Sequence, residues 1–206
     1  IFRNYTQLVE PMSLDEAYLD VSEATHFDGS ATRIAFDIRS KVRDLLRITV
    51  SAGVAPNKFL AKVASDWNKP DNQFTITPEE IPSFILNLPV KKINGVGHVT
   101  AKKLADMGVR KCGDLQKIKI TDLVKRFGKY GPRLANLAIG LDNRPVQATR
   151  QRKSISVERT YPEDLSNYSD IEHAMNKIVE ELNMRFGVIK EDYFPNKRFI
   201  KIRFSD

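Results

Sequence analysis

Asp15 and Glu16 stand side by side in the stretch Ser13-Leu14-Asp15-Glu16-Ala17-Tyr18-Leu19-Asp20. Adjacent carboxylates suit hard divalent cations, which take oxygen ligands. Phosphoryl chemistry run by two metals gathers several carboxylates around ions about 4 Å apart. On a regular strand neighbouring side chains point to opposite faces, so this pair serves one site only where the backbone bends. The pair, with Asp20 and Glu23 behind it, also fits a solvated surface. A second group lies in residues 51–70, SAGVAPNKFLAKVASDWNKP. A strand, a tight turn and a helix there can offer N–H groups and the cations Lys58, Lys62 and Lys69 to a phosphate. Lys58 and Lys62 share a helical face, which fits a plain solvated lysine face equally. The Gly-Lys-Ser/Thr sequence of a P-loop is absent.

The third group is Ile93-Asn94-Gly95-Val96-Gly97-His98, followed by AKKLADMG. Flanking apolar helices make it a helix-hairpin-helix. Its glycines permit close backbone approach, and the next helix offers its free N–H groups to a phosphate, with Lys102 and Lys103 one turn on. Such a contact reads the nucleic-acid backbone and not its sequence. A plain corner between two helices is the other reading. His26, His98 and His173 lie far apart without zinc-ligand spacing. Cys112 has no partner nearby and reads as an ordinary thiol. Trp67 and the phenylalanines read as core, and Tyr18 as packing beneath the carboxylates.

The elements that must position these groups follow from periodicity. Residues 14–21 predict a strand region with Pro11 at its entrance. Ser30 can cap a helix over 30–47, with Ile34, Ile38, Val42, Leu45 and Leu46 at helical spacing. ITVSAGVA (48–55) predicts a buried strand. Residues 57–67 predict a second helix, stopped before Lys69-Pro70. This alternation is α/β logic, one sheet covered by helices. From about residue 77 short glycine-punctuated helices follow, predicting a small all-helical unit. Residues 141–152 are polar, basic and weakly periodic, the pattern of a linker. Residues 155–161 and 199–204 alternate like strands and flank an amphipathic helix over 169–186 with Ile171, Ala174, Met175, Ile178, Val179 and Leu182 on one face. One helix and such strands cannot close a sheet, so this last unit reads as incomplete.

Lys and Arg total 33 against 26 Asp and Glu, a net charge of +7 that favours an acidic partner, nucleic acid first. A single cysteine excludes an internal disulfide and suits a reducing compartment. No apolar run approaches the roughly 20 residues that cross a bilayer, and no signal-peptide pattern is present. The first residue is Ile1 and not Met, which predicts a chain that begins inside a longer gene product or was trimmed.

Together these residues resemble the Y-family (translesion) DNA polymerases, in their bacterial DinB-type branch. Residues 13–20 are similar to the family's S-[IL]-D-E-[AV]-[YF]-L-D palm motif. Ser51-Ala52-Gly53-Val54-Ala55, Asn57-Lys58, Ala61-Lys62 and Lys69-Pro70 resemble its second palm motif. Gly95-Val96-Gly97 matches its thumb hairpin, and Lys153-Ser154-Ile155-Ser156-Val157-Glu158 resembles the opening of its little finger. The resemblance implies that Asp15 binds both of two catalytic Mg²⁺ ions and that Glu16 serves the ion on the primer side. Lys69 would grip the triphosphate of an incoming nucleotide. Gly95, Val96, Gly97, Lys102, Lys103, Lys153 and Ser154 would contact DNA. Asp71-Asn72 stands where the family usually has Asn-Gly, which alters the turn more than the site.

The implied fold is multidomain α/β and α+β: a palm portion over 1–76, an all-helical thumb over 77–143, a linker over 144–153 and part of an α/β little finger over 154–206. The implied activity is DNA-directed DNA synthesis past lesions. Primer-template DNA and a deoxynucleoside triphosphate are the partners, a sliding clamp is a further partner of the parent protein, and the location is the bacterial cytoplasm at the nucleoid. The family's first palm strand with another metal-binding Asp, its fingers and its clamp-binding peptide are not in these residues, so the piece alone is expected to be inactive. A sequence-independent helix-hairpin-helix module of a repair protein is the alternative.

Overall fold

Residues 12–16 bend instead of continuing a strand, and that bend builds the first element. Met12 and Ser13 both donate their N–H to the Glu16 carbonyl, at 2.8 and 3.3 Å. They close a hairpin of β1 (Val9–Pro11) and β2 (Ala17–Leu19), antiparallel, with Val9 opposite Leu19 and Pro11 opposite Ala17. The strand region expected over 14–21 therefore holds only the end of the turn and β2, and β1 lies before it. Pro11 ends a strand and does not open one, where its missing N–H costs no ladder bond. Leu14, expected on the strand, stands fully exposed at the turn.

Ser30 accepts from the Arg33 N–H at 3.4 Å and opens α1 (Ala31–Leu46), which Arg47 ends in the left-handed region at φ +58°. Ile34, Ile38 and Val42 are buried, and Tyr5 joins them in a small core bordered by Leu19, Val21 and Val50. Leu45 and Leu46, expected on the same face, are 69% and 57% exposed. Both fall in the helix's last turn, and Leu46 also lies about 80° from the centre of the stripe.

β3 (Ala52–Val54) and β4 (Gln73–Thr75) pair in parallel, Ala52 opposite Gln73 and Val54 opposite Thr75. α2 (Lys58–Ser65) is the crossover between them, capped by the Asn57 side chain, which accepts from the Leu60 N–H at 3.0 Å. Gly53 lets α2 lie directly on β3: a Cβ there would fall 2.0 Å from the Ala61 carbonyl oxygen and 2.3 Å from the Ser65 nitrogen.

After β4 every element up to residue 138 is a helix: α3 (Ile81–Asn87), α4 (His98–Ala105), α5 (Cys112–Leu115), α6 (Ile120–Phe127) and α7 (Gly131–Ala138), with short 3-10 turns between. Their apolar faces and that of α2 share one core, in which Phe59, Leu60, Ile85, Leu104, Leu123 and Leu134 are fully buried.

These elements are those of a computed structural model that describes residues 1–149, 152–189 and 194–204. The chain forms two compact units, Ile1–Thr149 and Arg150–Asp206. Residues 141–149 carry no regular structure, as a linker would, yet side chains hold the first of them. Asn57 donates to the Gly140 carbonyl at 2.8 Å, Lys58 to the Pro145 carbonyl at 3.2 Å, and the Gln147 N–H donates to Glu10 at 2.7 Å. Arg150 and Gln151 of the expected linker lie outside the described residues.

The second unit contains α8 (Tyr168–Gly187), capped by Asn167, whose side chain accepts from the Asp170 N–H at 2.9 Å. Of its expected apolar face only Ala174 is buried. The strands expected at 155–161 and 199–204 do not form. Alternation supplies a suitable face, but a strand exists only when a neighbour takes its N–H and C=O groups. Among the described residues none does, and Phe199, Ile202 and Phe204 stay exposed.

Candidate functional site

The hairpin turn carries Asp15 into solvent and turns Glu16 toward α2. Ser13 donates its hydroxyl to Asp15 Oδ1 at 2.5 Å, and the Asp15 N–H reaches back to Ser13 Oγ at 3.4 Å. The Ser13 hydrogen bond, helped by that N–H and by the charges of Lys69 and Lys62, holds the Asp15 carboxyl below its ordinary value. Asp15 is thus anionic at neutral pH. Glu16 Oε1 accepts from Lys62 Nζ at 2.9 Å. The bend that lets neighbouring carboxylates serve one site is present.

From Glu16 a row of alternating charges runs along the end of α2. Lys62 also donates to Asp66 Oδ2 at 3.1 Å, and the other Asp66 oxygen meets Lys69 Nζ at 2.5 Å. Burial works to lower the Lys62 pKa, but its hydrogen bonds to Glu16 and Asp66 outweigh it and raise the value. Asp66 is held below its ordinary value because Lys69 and Lys62 overcome its desolvation. Lys69 itself is half exposed.

Lys58 behaves differently from the expectation. It is only 7% exposed and forms neither a phosphate-facing cation nor a solvated face. Its ammonium meets Glu10 Oε2 at 2.5 Å and lies 5.0 Å from the centre of the Tyr18 ring. Spacing places Lys58 and Lys62 on one helical face, but acids from the hairpin claim both. Glu10, Tyr18 and the buried Arg39 were not marked as candidates by sequence. An isolated acid in a short strand and an arginine inside a helix give no signal until their partners are known.

In the hairpin at residues 95–97, Gly95 takes φ +96°, a conformation glycine adopts without cost. A Cβ there would come within 3.1 Å of the Tyr130 hydroxyl. Val96 is buried and its N–H already donates to the Ile93 carbonyl at 2.9 Å. Gly97 is the N-cap of α4 and has no side-chain cap. Nothing lies within 4 Å of where its Cβ would be, so the start of α4 is open to a ligand. Lys102 and Lys103 are exposed in the last turn of α4. Lys153 and Ser154 are exposed in irregular chain of the second unit.

Asp15 and Glu16 are hard oxygen donors of the kind a divalent ion such as magnesium takes. Among the described residues no set of three or more His, Cys, Asp or Glu side chains gathers to hold a metal. Also among them, no helix is long and apolar enough to cross a membrane.

Comparisons with known proteins converge on this architecture. Residues 1–66 match the impB/mucB/samB family, residues 91–142 match the DNA polymerase-iota thumb domain, and residues 152–206 match the impB/mucB/samB C-terminal domain. The chain is 53% identical over all 206 residues to DNA polymerase IV of Pseudomonas syringae pv. syringae, covering 58% of it. It is 54% identical over the same residues to DNA polymerase IV of Pseudomonas aeruginosa, covering 59%. Among solved structures it resembles a Y-family DNA polymerase chimera with a TM-score of 0.79 and 31% identity, over 89% of this chain and 54% of that one. It also resembles DinB from Sulfolobus solfataricus with a TM-score of 0.65 and 33% identity, over 71% of this chain and 43% of that one. An α/β unit with a helical thumb and these three consecutive matches define a class, and the chain belongs to the impB/mucB/samB family of Y-family DNA polymerases, in its DinB-type branch. It spans about 58% of the length of the P. syringae relative.

Proposed function

We propose that the full-length gene product is a DNA-directed DNA polymerase of the lesion-bypass type, and that this chain supplies its carboxylate hairpin, its phosphate-gripping lysine and its thumb. One observation carries the reading: the row Glu16–Lys62–Asp66–Lys69 links the carboxylate motif to the lysine motif, and the charges of Lys69 and Lys62 act on Asp15. Two motifs that lie about fifty residues apart in sequence therefore face one locality.

In this reading residues 1–76 act as palm, 77–143 as thumb, 144–153 as linker and 154–206 as part of the little finger. Asp15 and Glu16 would hold Mg²⁺, two ions in the complete site, which supply positive charge at the reacting phosphate and at the primer hydroxyl. Asp15 is already ionised and exposed, ready to accept a cation. Lys69 exchanges Asp66 for the triphosphate of an incoming deoxynucleotide. The open N-terminus of α4 and the glycine hairpin receive a phosphate of primer-template DNA, with Lys102 and Lys103 adding charge, and Lys153 and Ser154 make a further backbone contact. A sliding clamp is a partner of the whole protein, which works in the bacterial cytoplasm on the nucleoid.

The test is single-turnover primer extension by the full-length gene product with Mg²⁺ and deoxynucleotides. Asp15→Asn should slow nucleotide addition at least about a hundredfold, because a neutral amide neither holds the ions nor offsets charge at the phosphate. A near-normal rate in Asp15→Asn would refute the assignment.

A further inference from the structure

The loop that carries Lys69 is gripped from beneath by an arginine in α1. Arg39 is 7% exposed. Its Nε donates to the Val50 carbonyl at 3.1 Å, and its Nη2 donates to the Asp71 carbonyl at 2.6 Å and to Asp71 Oδ1 at 2.9 Å. Arg43 adds a weaker approach to the same carboxylate, at 3.8 Å. The guanidinium thus ties the residue just before the β3 region to the residue two positions after Lys69. Asp71 sits in the left-handed region at φ +43°, where a non-glycine residue persists only if its surroundings hold it. Its neighbour Asn72 then accepts the Ala52 N–H at 3.0 Å, which starts the pairing of β3 with β4.

Lys69 has no comparable anchor of its own. Its chain segment, between the end of α2 and β4, is turn and bend, and its ammonium is half exposed on Asp66. At one end Trp67 is tied to α2 through the Ala64 carbonyl at 3.1 Å. At the other end the hold is Arg39 on Asp71. A buried guanidinium has a large desolvation penalty, so two bonds to Asp71 and a third to Val50 are a demanding way to close a loop that only needed closing. Arginine suits the task because its planar fork fixes direction, which a lysine ammonium cannot do.

We propose that Arg39 is a positioning residue for nucleotide use: by gripping Asp71 it fixes the loop that presents Lys69 to a nucleoside triphosphate. The proposal rests on the reading of Lys69 given above. A misplaced lysine weakens nucleotide capture more than the chemical step, so the effect belongs in KM for the nucleotide.

The experiment is steady-state incorporation of a single nucleotide by the full-length gene product, with thermal melting of every variant. Lys69→Ala should raise KM about tenfold, the loss of one charge-assisted contact. Arg39→Lys, which keeps the charge and loses the fork, and Asp71→Asn, which keeps the size and the tolerance of positive φ, should each raise KM about threefold or more, with kcat falling by a smaller factor. In the Lys69→Ala background, Arg39→Lys should raise KM by less than about twofold, since both act through the same ammonium. If Arg39→Lys and Asp71→Asn leave KM unchanged, or if the effect of Arg39→Lys multiplies fully onto Lys69→Ala, the positioning role is wrong while Lys69 stands. If Lys69→Ala itself leaves KM unchanged, the reading of Lys69 falls and takes this inference with it. Should Arg39→Lys fail to melt cooperatively, Asp71→Asn with and without Lys69→Ala decides.

Discussion

Lys58 and Glu10 are far apart in sequence, yet each is the other's counter-charge in a setting that water barely reaches. Burial works to raise the Glu10 carboxyl, but hydrogen bonds from Lys58 and the Gln147 N–H, with the Lys58 and Arg144 charges, hold it below its ordinary value of 4.5. A depressed carboxyl contributes stability that is complete above the ordinary value and is lost as pH falls through the lower folded value. Glu10→Gln leaves the Lys58 charge buried without a counter-charge and should cost about 3 kcal/mol at neutral pH in urea unfolding. Its deficit against the parent chain should narrow below pH 4.5, as the parent's own carboxyl takes up a proton. A deficit that stays constant down to pH 3 would show that the pair is not its source. Cys112 is a second residue whose surroundings set its chemistry. Burial pushes its thiol up to about 12. Only the thiolate is nucleophilic, so iodoacetamide at pH 8 should leave the native protein unlabelled and modify it once denaturant is added, as read by intact mass. Prompt labelling of the native chain would contradict its burial.

At the scale of elements, two glycines do opposite work. Gly53 exists so that α2 can rest on β3, and the atoms a Cβ would strike are backbone and cannot swing away. Gly53→Ala should destabilise the first unit by about 3 kcal/mol, read in the same urea titration. Gly97 has open space around it and an ordinary φ of −77°. Gly97→Ala should cost less than about 1 kcal/mol of stability. Its methyl group would nonetheless stand at the start of α4, where a phosphate is proposed to approach. Affinity for a labelled primer-template should drop while melting barely changes. Unchanged affinity would point instead to a simple corner between α3 and α4. The hairpin of β1 and β2 shows the same economy of position, since its turn both bends the chain and exposes Asp15.

At the scale of the molecule, both apolar cores found among the described residues lie within Ile1–Thr149. Residues 1–149 expressed alone should therefore melt in one cooperative transition close to the main transition of the whole chain, followed by circular dichroism. A loss of cooperativity would show that the second unit completes the first. The surplus of +7 charges predicts DNA binding that ignores sequence and falls steeply with salt. Each neutralised phosphate should contribute about 0.9 to the slope of log affinity against log salt. Titrations at several salt concentrations, on two unrelated sequences, check this; a flat response or a strong preference for one sequence would count against it.

Local physics was legible in the sequence. Ser30, expected as a cap, hydrogen-bonds an N–H within the first turn of α1, because a cap acts across three residues and needs nothing distant; Asn57 and Asn167, not singled out as caps in the sequence, do the same for α2 and α8. The 3.6-residue period placed α1, α2 and α8, and the change from alternating strands and helices to short helices near residue 77 follows the chain itself. The carboxylate and glycine motifs were visible as words. Tertiary structure alone decided which charges are engaged, because an ion pair depends on residues that folding brings together. It placed Lys58 in the interior with Glu10, brought Glu16 to Lys62, and set Arg39 under Asp71, whereas the Lys62–Asp66 and Asp66–Lys69 pairs are local, four and three residues apart. It also withheld the strands expected at 155–161 and 199–204, since alternation fixes which face of a strand is apolar but a neighbouring chain must supply its hydrogen bonds.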